Sequence, residues 1–106
     1  MSVARLRVPR EARRDEIIEI RLLLEHPMES GFRRDPLGRS IPKNVIHTLL
    51  VRYDGRDILR GEFGSGMAAN PYLAFHTRAT ASGEVEVSWV DDAGLRGEVR
   101  ASITVV

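Results

Sequence analysis

The chain has 106 residues, 42% hydrophobic and 29% charged, a composition that fits an ordinary folded protein with one modest core and excludes a disordered one. Its formal net charge of +1, nearly all arginine with Lys43 the single lysine, builds no field strong enough for non-specific nucleic-acid binding. Cysteine is absent, which removes disulfides, thiolate nucleophiles and cysteine-ligated zinc together.

From the first residue the apolar pattern has a period of two. Ala4, Leu6 and Val8 alternate with Val3, Arg5 and Arg7, which predicts a strand whose outer side is arginine-rich. Arg5, Arg7, Arg10, Arg13 and Arg14 face only Glu11 in this opening stretch. Solvated charges guarding a strand edge account for them, with a basic arm on RNA or on an acidic partner as the alternative. The stretch MSVARLRVPREARR also lacks the apolar run of a secretory signal, and no segment approaches the ~20 apolar residues of a membrane-spanning helix.

Ile18, Ile20, Leu22 and Leu24 mark the next inward face. The run 26–44, HPMESGFRRDPLGRSIPKN, then shows neither period, and loops beyond about 12–15 residues are usually functional or disordered. Met28, Phe32, Leu37 and Ile41 give it apolar anchors, Asp35-Pro36-Leu37-Gly38 has turn chemistry, and its other prolines stiffen the ends. An ordered loop is therefore expected, its side chains divided between its own sandwich and a binding surface rimmed by Arg33, Arg34 and Asp35.

VIHTLLVRY (45–53) stops at Asp54-Gly55, a strong hairpin signal, and DILRGEF (57–63) answers it. Leu73, Phe75, Thr77 and Ala79 share a side of YLAFHTRA. Val85, Val87 and Trp89 point inward from GEVEVSWV, DDAG (91–94) makes a turn, and Val99, Ala101, Ile103 and Val105 share the last face. No window keeps an apolar 3.6 period. About seven short strands joined by turns predict an all-β, immunoglobulin-like antiparallel sandwich, one domain over 1–106 with 1–14 as an irregular or edge-strand arm.

Gly64-Ser65-Gly66-Met67-Ala68-Ala69 fits the G-x-G-x-x-A turn of dinucleotide-binding enzymes. That chemistry needs a helix directly after the turn, and Asn70-Pro71 followed by a strand pattern excludes one. Ser65 lacks the glycine that a nucleophile elbow needs at position 63, where Phe63 stands. His26, His47 and His76 are far apart in sequence and meet only if the fold brings them together. His47 shares parity with Leu49 and Val51, so it is expected half-buried, and His76 lies on a polar side. Met28 and Met67 beside glycines suit soft apolar contact with a partner better than copper. Asp91 and Asp92 do not supply the ligand spacing of a calcium loop. No cofactor or metal is expected.

HPMESGFRRDPLGRSIP, GSGMAANPYLAF and VEVSWVDDAG, in this order, resemble SoxZ, a subunit of the SoxYZ carrier of bacterial thiosulfate oxidation, from about Glu16 onward. The chain departs from the usual pattern at Tyr72 (usually phenylalanine), Met67-Ala68 (often Val-Ser) and Thr77 (often aromatic). The resemblance implies a non-catalytic, thiol-free sandwich paired with SoxY, whose terminal cysteine arm holds the sulfur while other thiosulfate-oxidation enzymes act on it. It implies export to the periplasm with a signal-bearing partner, and contact with neither nucleic acid nor membrane. In the 26–42 loop it places Met28, Glu29, Gly31, Arg33, Asp35, Ile41 and Pro42 against the partner or facing the enzymes that visit its arm. In the 64–72 loop it places Gly64, Gly66, Met67, Asn70, Pro71 and Tyr72 there. A stand-alone homodimeric binding module and a histidine-site metalloprotein are the alternatives.

Overall fold

Alternation of apolar and polar side chains produces eight strands in two sheets, and the apolar halves of both sheets face each other. The computed structural model describes residues 3–64 and 68–106. The strands are β1 (Val3–Arg7), β2 (Glu11–Ala12), β3 (Ile17–Glu25), β4 (Ile46–Tyr53), β5 (Arg56–Glu62), β6 (Tyr72–Arg78), β7 (Gly83–Asp91) and β8 (Arg96–Val105). A three-stranded sheet has the order β1-β3-β6 and a five-stranded sheet the order β2-β8-β7-β4-β5. Among the described residues no helix is long and apolar enough to cross a membrane.

Between the sheets lie Ile18, Ile20, Leu22 and Leu24 of β3 against Leu49 and Val51 of β4, Val85, Val87 and Trp89 of β7, and Ile103 of β8, all buried. Each such side chain contributes roughly 1.5–3 kcal/mol through lost apolar exposure. Trp89 stands opposite Gly97 across the β7–β8 ladder, and its indole covers that glycine. The Tyr53 hydroxyl donates to the Ala81 carbonyl and accepts from the Ala81 N–H at 3.1 Å, fastening the β6–β7 connection to the end of β4.

The expected hairpin forms at Asp54-Gly55, both with positive φ (50° and 78°), the backbone twist a two-residue turn needs. One feature departs from expectation. The five-stranded sheet gains β2, and its pairing with β8 is parallel, so the sandwich is not wholly antiparallel. In the other sheet β1 is laid fully along β3 as an edge strand, and Pro9-Arg10 carries the chain across to the five-stranded sheet. A bulge between Ile46 and Thr48 breaks the parity of β4, so that Ile46 is buried out of step with Leu49 and Val51 while His47 is half-buried.

Candidate interaction surface at one end of the sandwich

Four chain passages converge where β3 ends, β4 and β6 begin, and β7 turns into β8. Their junction is a polar knot around His26 and Asp91, both buried, 3% and 2% exposed. The Met28 N–H donates to His26 Nδ1 at 2.9 Å, so that nitrogen carries no proton and the ring is the neutral Nε2–H tautomer. Nε2–H then donates to Asp91 Oδ2 at 3.2 Å. The other carboxylate oxygen, Oδ1, accepts the Leu95 N–H at 2.9 Å. Burial pushes the Asp91 carboxyl up, but hydrogen bonds from the His26 ring and from the Leu95 and Ala93 backbones outweigh it and hold the group below the usual carboxylate range.

The knot joins the two loops. His26 N–H donates to Asn70 Oδ1 at 3.0 Å, and Asn70 N–H donates to the His26 carbonyl at 2.8 Å. Asn70 holds a positive φ of 53°, a conformation asparagine tolerates better than most residues. It therefore reaches across to a chain passage 44 residues away. Asp92 clamps the other side: its carboxylate accepts the Val45 N–H at 3.1 Å, and its own N–H donates to the Val45 carbonyl at 3.0 Å.

Above the knot the long loop is ordered by two rungs, Glu29↔Asn44 and Arg34↔Ser40. Asp35 organises the tip, its Oδ1 accepting the N–H groups of Leu37 and Arg39 at 2.9 Å each and its Oδ2 pairing with the Arg39 guanidinium at 3.0 Å. Arg33 forks onto Glu29 at 2.5 and 3.1 Å, and the hydrogen bond from that guanidinium lowers the Glu29 carboxyl below its ordinary range. With its backbone fixed in this way, the loop holds Phe32 and Leu37 outward, 87% and 77% exposed.

Several predicted contact residues sit elsewhere than expected. Met28 is 5% exposed and belongs to the core, where its sulfur accepts the Ile46 N–H at 3.3 Å, so it offers no surface to a partner. Pro71 is also buried, its carbonyl accepting the Leu24 N–H at 2.9 Å. Asp35 spends its carboxylate inside the loop. Gly31, at φ +91°, is needed by the backbone, and a Cβ there would stand 3.2 Å from Lys43 Cβ. Arg33, Pro42, Gly64 and Tyr72 are exposed, and Ile41 is half-buried. Among the described residues, a Cβ on Gly64 would meet nothing within 4 Å. Gly66 and Met67 lie outside the described residues. Phe32 and Leu37, expected as loop anchors, are the most exposed large apolar groups among the described residues. The His26–Asp91 pair gave no local signal, because its partners are 65 residues apart.

The histidine-centred metal alternative finds no geometry here. His47 turns Nδ1 to Thr48 Oγ1 at 2.7 Å, and exposed His76 lies 3.6 Å from Glu19. Among the described residues no three of His, Cys, Asp and Glu come together as metal ligands.

Fold and surface together define an all-β, immunoglobulin-like sandwich presenting a braced loop at one end. A family described as sulphur oxidation protein SoxZ matches residues 6–102, and the chain belongs to that family. The match starts ten residues before the point from which the motifs carried the likeness, and so takes in the end of β1. No curated protein matches the chain. A superoxide reductase (neelaredoxin) from Ignicoccus hospitalis has a similar structure, with TM-score 0.72, 19% identity, and coverage of 97% of this chain and 80% of that one. The sulfur carrier protein SoxY from Chlorobium limicola f thiosulfatophilum aligns with TM-score 0.65, 7% identity, and coverage of 97% and 78%. A CARDB domain from Pyrococcus furiosus aligns with TM-score 0.51, 11% identity, and coverage of 97% and 94%. At these identities the likenesses concern the fold alone.

Proposed function

We propose that this chain is the non-catalytic, thiol-free half of a two-chain sulfur carrier, and that it pairs with a SoxY-like subunit whose terminal cysteine bears the sulfur. Membership of the SoxZ family supports a place in sulfur oxidation. The absence of cysteine supports leaving the covalent chemistry to the companion. In this reading the single domain 1–106 works without a cofactor of its own, in the periplasm, exported with its signal-bearing partner.

The observation that carries the docking part is the loop tip. Two large apolar side chains, Phe32 and Leu37, are held in solvent by a backbone whose own hydrogen bonds are made. A folded protein rarely orders a loop to expose such groups unless something covers them. In this reading Arg33, Ile41 and Pro42 join that contact, Glu29 and Asp35 hold its shape, and the second loop, tied to the first through Asn70 and His26, adds Gly64, Asn70 and Tyr72.

Co-expression with a SoxY chain, followed by size-exclusion chromatography and intact-mass analysis, tests the reading. A heterodimer is expected, and Phe32→Ala/Leu37→Ala should weaken pairing at least about tenfold while leaving the melting temperature of the isolated chain unchanged. A symmetric homodimer indifferent to SoxY would overturn it.

A further inference from the structure

The outer face of the three-stranded sheet carries a second surface. Strand register builds it in rows: Arg5, Leu23 and Tyr72 stand side by side, and next to them Arg7, Arg21 and Ala74. Arg7 and Arg21 are direct cross-strand partners, a like-charge pairing that costs stability where nothing anionic lies between them. Arg21 is answered by Glu19, which also lies 3.6 Å from His76. Glu25, the other acid on this face, stands at the far end of β3 opposite Val3. Arg5, Arg7 and Arg10 have no carboxylate within ion-pair distance among the described residues.

These arginines line two adjoining hollows. A groove of about 740 Å³ runs from this face round the β1 edge to β8, between Arg7, Arg10 and Arg21, with Leu6, Val8 and Pro9 as its apolar wall, Glu19 as its one carboxylate, and Ala101 and Ser102 on its far side. A smaller hollow of about 200 Å³ lies between Arg5, Arg7, Leu23 and Tyr72. Arg7 and Arg21 border both, so the two form one continuous surface.

We propose that this face docks an extended acidic polypeptide segment whose apolar side chains settle beside Leu23 and Tyr72. Unpaired guanidinium groups seek carboxylates, which they grip in two-point geometry. Arginine and tyrosine together are the composition of binding hot spots. A nucleic acid fits less well. The chain carries a formal charge of only +1, and the face offers one aromatic ring rather than a stacking series. The surface shares Tyr72 with the loop-end interface and stands whether or not the SoxY reading does.

Fluorescence anisotropy of the full chain tests this with three probes: a labelled decapeptide alternating glutamate and leucine, a single-stranded RNA decamer, and inorganic phosphate as competitor. The peptide should bind saturably, more tightly at about 50 mM than at about 150 mM salt. Arg5→Gln/Arg7→Gln/Arg10→Gln should weaken it at least about tenfold. Arg56→Gln/Arg60→Gln/Arg96→Gln, with the same net charge, should change it less than about twofold. NMR shift mapping on the unmodified protein, which needs no variant to fold, should place the perturbed amides on β1, β3 and β6. Equal loss in both triple variants, shifts confined to strands other than these and the Ala101–Ser102 stretch of β8, tighter binding of the RNA, or displacement of the peptide by millimolar phosphate would overturn the proposal.

Discussion

Asp91 shows how one buried carboxylate can hold a loop end together. It accepts from the His26 ring and from the Leu95 and Ala93 backbones, so Asp91→Ala strands these donors together and should cost about 2–4 kcal/mol. Its folded carboxyl titrates below the ordinary range, so the stability it contributes is present above the unfolded value, near pH 4, and is lost as pH falls through the folded value. Urea unfolding of wild type and Asp91→Asn at several pH values checks this, with the gap between them narrowing only below about pH 4. At the opposite end of polarity stands Gly97. A Cβ there would lie 2.1 Å from Trp89 Cζ2, inside the indole itself. Gly97→Val should therefore destabilise by about 2–3 kcal/mol or prevent folding, read as a lower melting temperature and altered tryptophan fluorescence. Gly94→Ala, which strains only a turn at φ +83° and meets no neighbour, should cost about 1 kcal/mol.

At the scale of elements, the strands were readable because each has one buried face. Where that condition fails, the pattern fails with it. Two residues, Glu11 and Ala12, are too short to show a period, so β2 and its parallel pairing were invisible. The bulge in β4 turns Ile46 inward out of step with Leu49 and Val51, which strict alternation does not allow. In the 26–44 loop, turn chemistry at Asp35 and Gly38 was legible from residue type, whereas the direction of each apolar side chain was not. Met28 and Phe32 look alike in sequence and end at 5% and 87% exposure, because the Glu29–Asn44 rung lies between them. That rung also predicts how separable the loop is from the fold. Replacing 31–42 with Asn-Gly would close a hairpin just beyond Glu29 and Asn44, and closure entropy changes slowly with loop length. The shortened chain should keep its stability to within about 1 kcal/mol by chemical denaturation and lose SoxY pairing. If it unfolds, the loop is a folding element and the docking role assigned to it fails.

The whole molecule is elongated, 58 × 19 × 18 Å, with a radius of gyration of 16.0 Å against about 13 Å for a compact domain of this length. An elongated sandwich exposes its edges along its length, and three of the four are guarded. β2 is two residues long, β5 carries Arg56, Asp57, Arg60 and Glu62, and β1 carries Arg5 and Arg7. β6 is the least charged: only its last residue, Arg78, is Lys, Arg, Asp or Glu, and it begins beside the knot that joins the two loops. An edge so lightly guarded offers free backbone groups to any strand of matching direction. In isolation the chain should therefore associate with itself through β6, and sedimentation velocity should show a concentration-dependent dimer. Ala74 is exposed on that edge and stands opposite Arg21, so Ala74→Glu adds a guarding charge with an attractive neighbour already in place. That variant should sediment as a monomer with an unchanged melting temperature. A dimer that persists in it unweakened would move the self-contact away from β6, to the apolar tip at Phe32 and Leu37.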